Sequence, residues 1–252
     1  MKNNTMKSNN SFYNSASVYY DKMIDFDLAL QKRKILLSNF IDDKIKSVAD
    51  VGCGTGVDSI SLSQLGLNVN SFDPSLEMIN AAQTNSEKHN CKIMIYNYAA
   101  NNIPKSFYNK FDLVVSLGNT LANIPFGMIE KSVVKLFRLL KKDGRVLIQI
   151  LNYEKILEDK ERIVNITKKD IEYFIRFYDF NKKDITFNIL KFNTDQTTKK
   201  ELISTKIFPY TSKELKKVFK EAGFKKIELF GGLDKKPFDA KTSNDLILFA
   251  HK

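Results

Sequence analysis

Val48-Ala49-Asp50-Val51-Gly52-Cys53-Gly54-Thr55-Gly56, followed by the helical run 57–65, is the stretch whose reading decides the fold. An apolar strand enters a glycine turn and a helix begins at once. Glycines at 52, 54 and 56 let the backbone take positive φ and let a ligand approach the main chain with no Cβ in the way. The turn opens a helix N-terminus, whose unpaired N–H groups favour negative charge. This is the layout of a nucleotide-like cofactor site, although Gly-x-Gly alone has little specificity.

The next element narrows it. Residues 67–72 read as a second strand, ending in Asp73, 21 residues after Gly52. An acid there accepts hydrogen bonds from two ribose hydroxyls. A nicotinamide turn asks for glycine where this chain has Val57. Asp50, inside the preceding strand, suits a ligand carrying an ammonium or a sulfonium rather than phosphates. S-adenosylmethionine (SAM) has a ribose, an α-amino group and a sulfonium, and no phosphate. Charge therefore selects it as the expected cofactor, with S-adenosylhomocysteine as its product.

DVGCGTG at 50–56, followed by FDPSLEMINAA at 72–82, resembles motif I and the post-motif region of class I SAM-dependent methyltransferases. GTGVDSI, LGNTLANIP and ILNYEKIL are similar to the glycine N-methyltransferase-like branch and its small-molecule relatives. The resemblance runs over residues 18–252. It implies an α/β, Rossmann-like seven-stranded sheet, mostly parallel with the last strand antiparallel. The cofactor contacts are expected at Asp50, Gly52, Cys53, Gly54 and Gly56, then at Asp73, Pro74 and Met78. Ala99 and Ala100 fall at the adenine end, and Leu117 and Gly118 at the end of the fourth strand. Met78 packs on adenine or ribose in the resembled family; a plain core methionine is the alternative.

Composition bounds the alternatives. A chain of 252 residues suits one domain with a full core. No apolar run approaches ~18 residues, so no membrane span is expected. The polar N-terminus lacks a signal-peptide core, and a cytoplasmic location is the expectation. Cys53 and Cys91, with His89 and His251, give no disulfide framework and no metal-ligand spacing. The net charge of +11 invites a nucleic-acid partner, yet only 5 of the 40 basic residues are Arg, the residue favoured for bidentate phosphate and base contacts. A solvated lysine surface is the preferred reading, and a polyanion surface stays as the alternative.

In chain order, residues 1–16 are expected as a disordered tail and 17–46 as a helical cap. Residues 47–151 form the SAM-binding core, 152–210 an antiparallel β insertion or substrate lid, and 211–252 the end of the core sheet. Tyr19 and Tyr20 are lid candidates, or else pack on the domain edge. The strand 111–117 runs into Gly118-Asn119-Thr120, and open α/β sheets bind ligands at such carboxyl ends. Asn119 is the leading substrate-side residue, because an amide orients a nucleophile without adding charge. A turn asparagine bonding its own backbone is the alternative. Asn123, Asn152, Tyr153 and Tyr178 join it as substrate or catalytic candidates. Tyr173, Phe177 and Phe180 are either pocket residues or the core of a small sheet.

The chain also departs from the resembled family. Its adenine-side Asp is replaced by Ala99, with the Ala100 N–H or Asn101 as substitutes. Its substrate-clamping Arg falls at Leu151 and its loop His at Asn123, so free glycine is not expected as acceptor. Its N-terminal Arg falls at Leu28 or Ala29, with Lys32 or Arg33 one turn on. No histidine is expected in the crevice, and the remaining base candidates, Tyr20, Tyr153 and Tyr178, have an ordinary pKa near ~10. The expected acceptor is a small molecule needing little deprotonation: an amine, a thiol or a carboxylate. RNA or protein methylation, and SAM binding without catalysis, are the alternatives. The Asp/Asn-Pro-Pro-aromatic signature of nucleic-acid amino-methyltransferases is absent.

Overall fold

Residues 47–51, apolar apart from Ser47 and Asp50, become the central strand β1 (Ser47–Val51), buried on both faces as a parallel strand under helices must be. The computed structural model describes residues 2–195 and 200–252. Around β1 lie β2 (Asn68–Phe72), β3 (Met94–Tyr96), β4 (Phe111–Ser116), β5 (Leu140–Leu151), β10 (Lys225–Phe230) and β11 (Asp245–His251). Their order is β10-β11-β5-β4-β1-β2-β3, parallel except that β11 runs antiparallel to both β5 and β10. This is the expected sheet. The Lys142-Asp143-Gly144 turn is absorbed into β5, where Asp143 takes φ 61° and the pairing with β4 slips between Phe111 and Leu113.

Helices cover both faces. On one side α2 (Phe26–Ser38) and α3 (Val57–Gln64) bury Leu37 and Leu62 against Val69, Leu113 and Leu147. On the other, α5 (Ile129–Leu139) inserts Ile129, Val133 and Leu136, and α7 (Ser212–Glu221) inserts Leu215 and Phe219. α7 starts with a reciprocal Thr211–Glu214 capping box, and Gly223, at φ 104°, follows its end. α4 (Leu76–Lys88) is capped by Ser75, whose hydroxyl accepts from the Met78 N–H at 3.2 Å.

Two segments differ from expectation. Residues 2–16 are not a separate tail: helix α1 spans Lys2–Ile24, while Met1 lies outside the described residues. Phe12, Ala16, Tyr19 and Met23, spaced four, three and four apart, are buried in one cluster with Met78, Phe174 and Ile189. That helical stripe overrides the polar composition around it. Residues 153–159 are also helical, as α6 (Tyr153–Asp159), so the β insertion begins only at β6 (Ile163–Lys169). It continues through β7 (Glu172–Phe180), β8 (Ile185–Asn193) and β9 (Lys200–Ile207) as an antiparallel sheet in that order. Phe174 and Ile189 of this sheet meet α1, whereas Tyr178, Ile185 and Ile207 join the main core. Among the described residues no helix is long and apolar enough to cross a membrane.

Candidate active site

The glycine turn is fixed from below. Gly52 and Cys53 donate to the Phe72 carbonyl at 2.7 and 3.1 Å, tying the end of β1 to the end of β2. Gly52 has φ 85°, and a Cβ there would stand 2.5 Å from Thr120 Oγ1, so only glycine fits. Gly54, at φ 53°, has nothing within 4 Å of an added Cβ. Its side-chain direction points into open space above the sheet.

That space is a cavity of about 700 Å³. The glycine turn, Asp73 and Pro74 form its floor, and Leu117, Gly118 and Thr120 form the β4 side. Ala99, Ala100 and Asn101 close one end. Tyr13, Tyr20 and Ile24 of α1 and Arg33 of α2 also line it.

Asp73 holds the turn and still has capacity to spare. Its Oδ2 accepts from the Gly54 N–H at 3.0 Å and its Oδ1 from the Ser75 N–H at 2.8 Å. Each carboxylate oxygen has a second lone pair, so two acceptor positions remain for a vicinal diol. Burial pushes its pKa up to about 6, against the pull of those two N–H bonds. At the adenine end, Asn101 Oδ1 is buried without a hydrogen-bond partner, which fits the amine donor of an adenine. Thr55 Oγ1 is another buried cavity atom lacking a partner. Arg33 also lines the cavity, its Nε 2.8 Å from Asp58 Oδ1 and its Nη1 donating to Gln149 Oε1 at 2.9 Å. A guanidinium and a carboxylate side by side match the two charges of an amino-acid tail. The residues present therefore fit SAM along its length.

The structure brings most of the expected cofactor residues together: Gly52, Cys53, Gly54, Asp73, Pro74, Met78, Ala99, Ala100, Leu117 and Gly118 all line the cavity. Asp50 and Gly56 do not. Asp50 points beneath the turn, where its Oδ2 accepts from Ser59 Oγ at 2.6 Å and Ser59 meets Ser71 at 2.7 Å. Its buried Oδ1 has no partner, and burial together with Asp58 raises its pKa to about 8. Asp58 rather than Asp50 joins Asp73 in lining the cavity. Gly56 instead starts α3 at φ 95° and abuts Ala82. The Cys53 thiol is pushed well up by burial and by Asp73, so it packs rather than reacts.

The substrate-side expectations divide. Tyr20 and Asn123 line the cavity. Asn119, Tyr153, Asn152 and Tyr178 are absent from its wall. Asn119, at φ 71°, spends its amide elsewhere: Nδ2 donates to Tyr153 Oη at 2.6 Å, and Oδ1 accepts from the Leu151 N–H at 3.1 Å. Asn152 caps α6 with its Oδ1 and donates through Nδ2 to the Ala240 and Ser243 carbonyls. Tyr153 and Tyr178 are buried in the main core. These are positioning roles, set by hydrogen-bond needs at element ends that sequence spacing does not reveal. Conversely, Tyr13, Thr55, Asp58 and Asn97 line the cavity without having been singled out. Tyr13 had a readable signal, since it follows Phe12 at the start of the α1 stripe.

Sheet order, glycine turn and the acid at the end of β2 are those of the class I SAM-dependent methyltransferase fold. Residues 48–144 match the family model described as a methyltransferase domain. The chain is 24% identical to a glycine/sarcosine/dimethylglycine N-methyltransferase of Actinopolyspora halophila, over 84% of this chain and 37% of that protein. It thus spans less than half the length of that relative. It is 28% identical to a carboxy-S-adenosyl-L-methionine synthase of Nautilia profundicola, over 85% of this chain and 86% of the other. In fold it is similar to an S-adenosylmethionine-dependent methyltransferase from Clostridium acetobutylicum, with a TM-score of 0.79, 19% identity, and coverage of 95% and 98% of the two chains.

Proposed function

We propose that this protein transfers a methyl group from SAM to a small-molecule acceptor in the cavity beneath α1. The carrying observation is the cavity of about 700 Å³ in which Asp73, Asn101 and Arg33 offer partners for the ribose, adenine and amino-acid parts of one ligand. Bound there, SAM supplies an electrophilic methyl group on a sulfonium. Holding donor and acceptor collinear is worth ~7–11 kcal/mol of barrier. Tyr13 and Tyr20 exclude water from above and offer aromatic faces to positive charge.

The acceptor reading is an amine, a thiol or a carboxylate. Burial raises the Tyr20 phenol above its ordinary value, and Tyr178 rises to about 12, so neither acts as a base near neutrality. Tyr20 then orients by donating its proton in a hydrogen bond. The roof formed by α1 favours a small acceptor over RNA or a protein chain, and Leu151 offers no charge to a free glycine. Mass spectrometry of S-adenosylhomocysteine formed with an amine, thiol and carboxylate library tests this. Tight donor binding with no turnover on any acceptor would favour the non-catalytic alternative.

A further inference from the structure

From residue 146 to 151, β5 reads Val-Leu-Ile-Gln-Ile-Leu, and it lies inside the sheet between β4 and β11. Gln149 is the one polar side chain in that run. It stands two residues from Leu147, and so on the face that α2 and α3 cover. A polar side chain under a helix layer needs partners for both ends of its amide. Gln149 has them. Its Oε1 accepts from Arg33 Nη1 at 2.9 Å and from the Gly118 N–H at 3.4 Å, and its Nε2 donates to Asp245 Oδ1 at 3.1 Å. On β11 the direct neighbour of Gln149 is Ile247, which puts Asp245 one diagonal step away on the same face. A carboxylate only accepts, so Asp245 takes the amide nitrogen and turns Oε1 toward Arg33. Arg33 therefore stands between two acceptors, Asp58 Oδ1 at 2.8 Å from its Nε and Gln149 at its Nη1. Among the described residues its Nη2 has no partner, while Arg33 and Gly118 both line the cavity.

We propose that Gln149, held by Asp245, is a positioning residue for the methyl donor: it fixes the plane of the Arg33 guanidinium and keeps Nη2 for the carboxylate of the donor's amino-acid tail. This rests on the SAM reading of the cavity, in which Arg33 meets that tail. A guanidinium is planar and recognises a carboxylate through the direction of its N–H bonds, so its orientation matters as much as its charge. An amide suits the task because it accepts from Arg33 without neutralising it. A carboxylate at 149 would compete with the tail and stand beside Asp245, and an aliphatic side chain would leave Nη1 free to turn.

The test is calorimetry with S-adenosylhomocysteine and with methylthioadenosine, which shares the adenosine thioether and lacks the amino-acid tail. The wild type is expected to prefer S-adenosylhomocysteine. Gln149→Met, close in shape but without the amide, should bind S-adenosylhomocysteine about five- to tenfold more weakly and methylthioadenosine within about twofold of the wild type. Gln149→Asn, too short to span Arg33 and Asp245, should show the same selective loss and serves if the Met variant does not fold. Because Gln149 acts through Arg33, the double variant Gln149→Met/Arg33→Met should bind S-adenosylhomocysteine no more weakly than Arg33→Met alone. The proposal is overturned if S-adenosylhomocysteine affinity holds in both Gln149 variants, if methylthioadenosine weakens in step with it, if the two single losses add in the double variant, or if the wild type binds both nucleosides equally. A wild type that binds neither nucleoside would instead sink the cofactor reading, and this assignment with it.

Discussion

Lowering the pH from 7 to 5 should weaken donor binding while strengthening the free protein, and Asp73 is the reason. Its folded-state pKa of about 6 lies above the ordinary 3.8, because burial outweighs the N–H bonds it accepts. The folded protein therefore binds more protons than the unfolded chain between those values. Stability falls as pH rises through that window, by up to roughly 3 kcal/mol, and is then level with respect to this group. Asp50, raised to about 8, extends the same sign to higher pH. Binding runs the other way, since a ribose diol needs the ionised carboxylate. With a pKa of about 6, the dissociation constant of S-adenosylhomocysteine should rise about tenfold from pH 7 to pH 5. Calorimetry across pH 5–8 measures the affinity and urea melts measure the stability. Asp73→Asn should bind weakly at every pH and flatten the affinity profile. An affinity independent of pH in the wild type, or a pH dependence surviving in Asp73→Asn, would refute the reasoning.

Four further outcomes concern the turn, the core and the adenine end. Gly52→Ala should lose about 2–5 kcal/mol of stability in urea melts, from left-handed strain and collision with Thr120. Gly54→Ala should lose only about 1–2 kcal/mol, but bind S-adenosylhomocysteine at least about tenfold more weakly by calorimetry, because its methyl group enters the cavity. Tyr153→Phe should cost about 1–3 kcal/mol by stranding the Asn119 amide. Its donor affinity and turnover should hold, and loss of turnover alone would restore Tyr153 as a base. Asn101→Ala should weaken S-adenosylhomocysteine about five- to tenfold, with S-inosylhomocysteine, which lacks the amine, unaffected.

The glycine turn, Asp73 and the strands themselves were legible because each depends on local chemistry, and the sheet they form was legible through the family resemblance. Positive φ demands glycine, a ribose demands an acid at a set distance, and buried parallel strands demand continuous apolar runs. Asn119 and Asn152 look identical to ligand-binding amides in sequence, and only the packed chain shows their hydrogen bonds spent on Tyr153, Leu151 and the 240–243 loop. Asp50 and Asp58 likewise differ by which side of one turn each faces, a matter of strand pleat against helix phase. The roof over the cavity was decided by tertiary structure as well. Local composition at residues 2–16 favours solvent, and a helix persists there because Phe12, Ala16 and Tyr19 find Phe174 and Ile189 of a sheet more than 150 residues further along the chain.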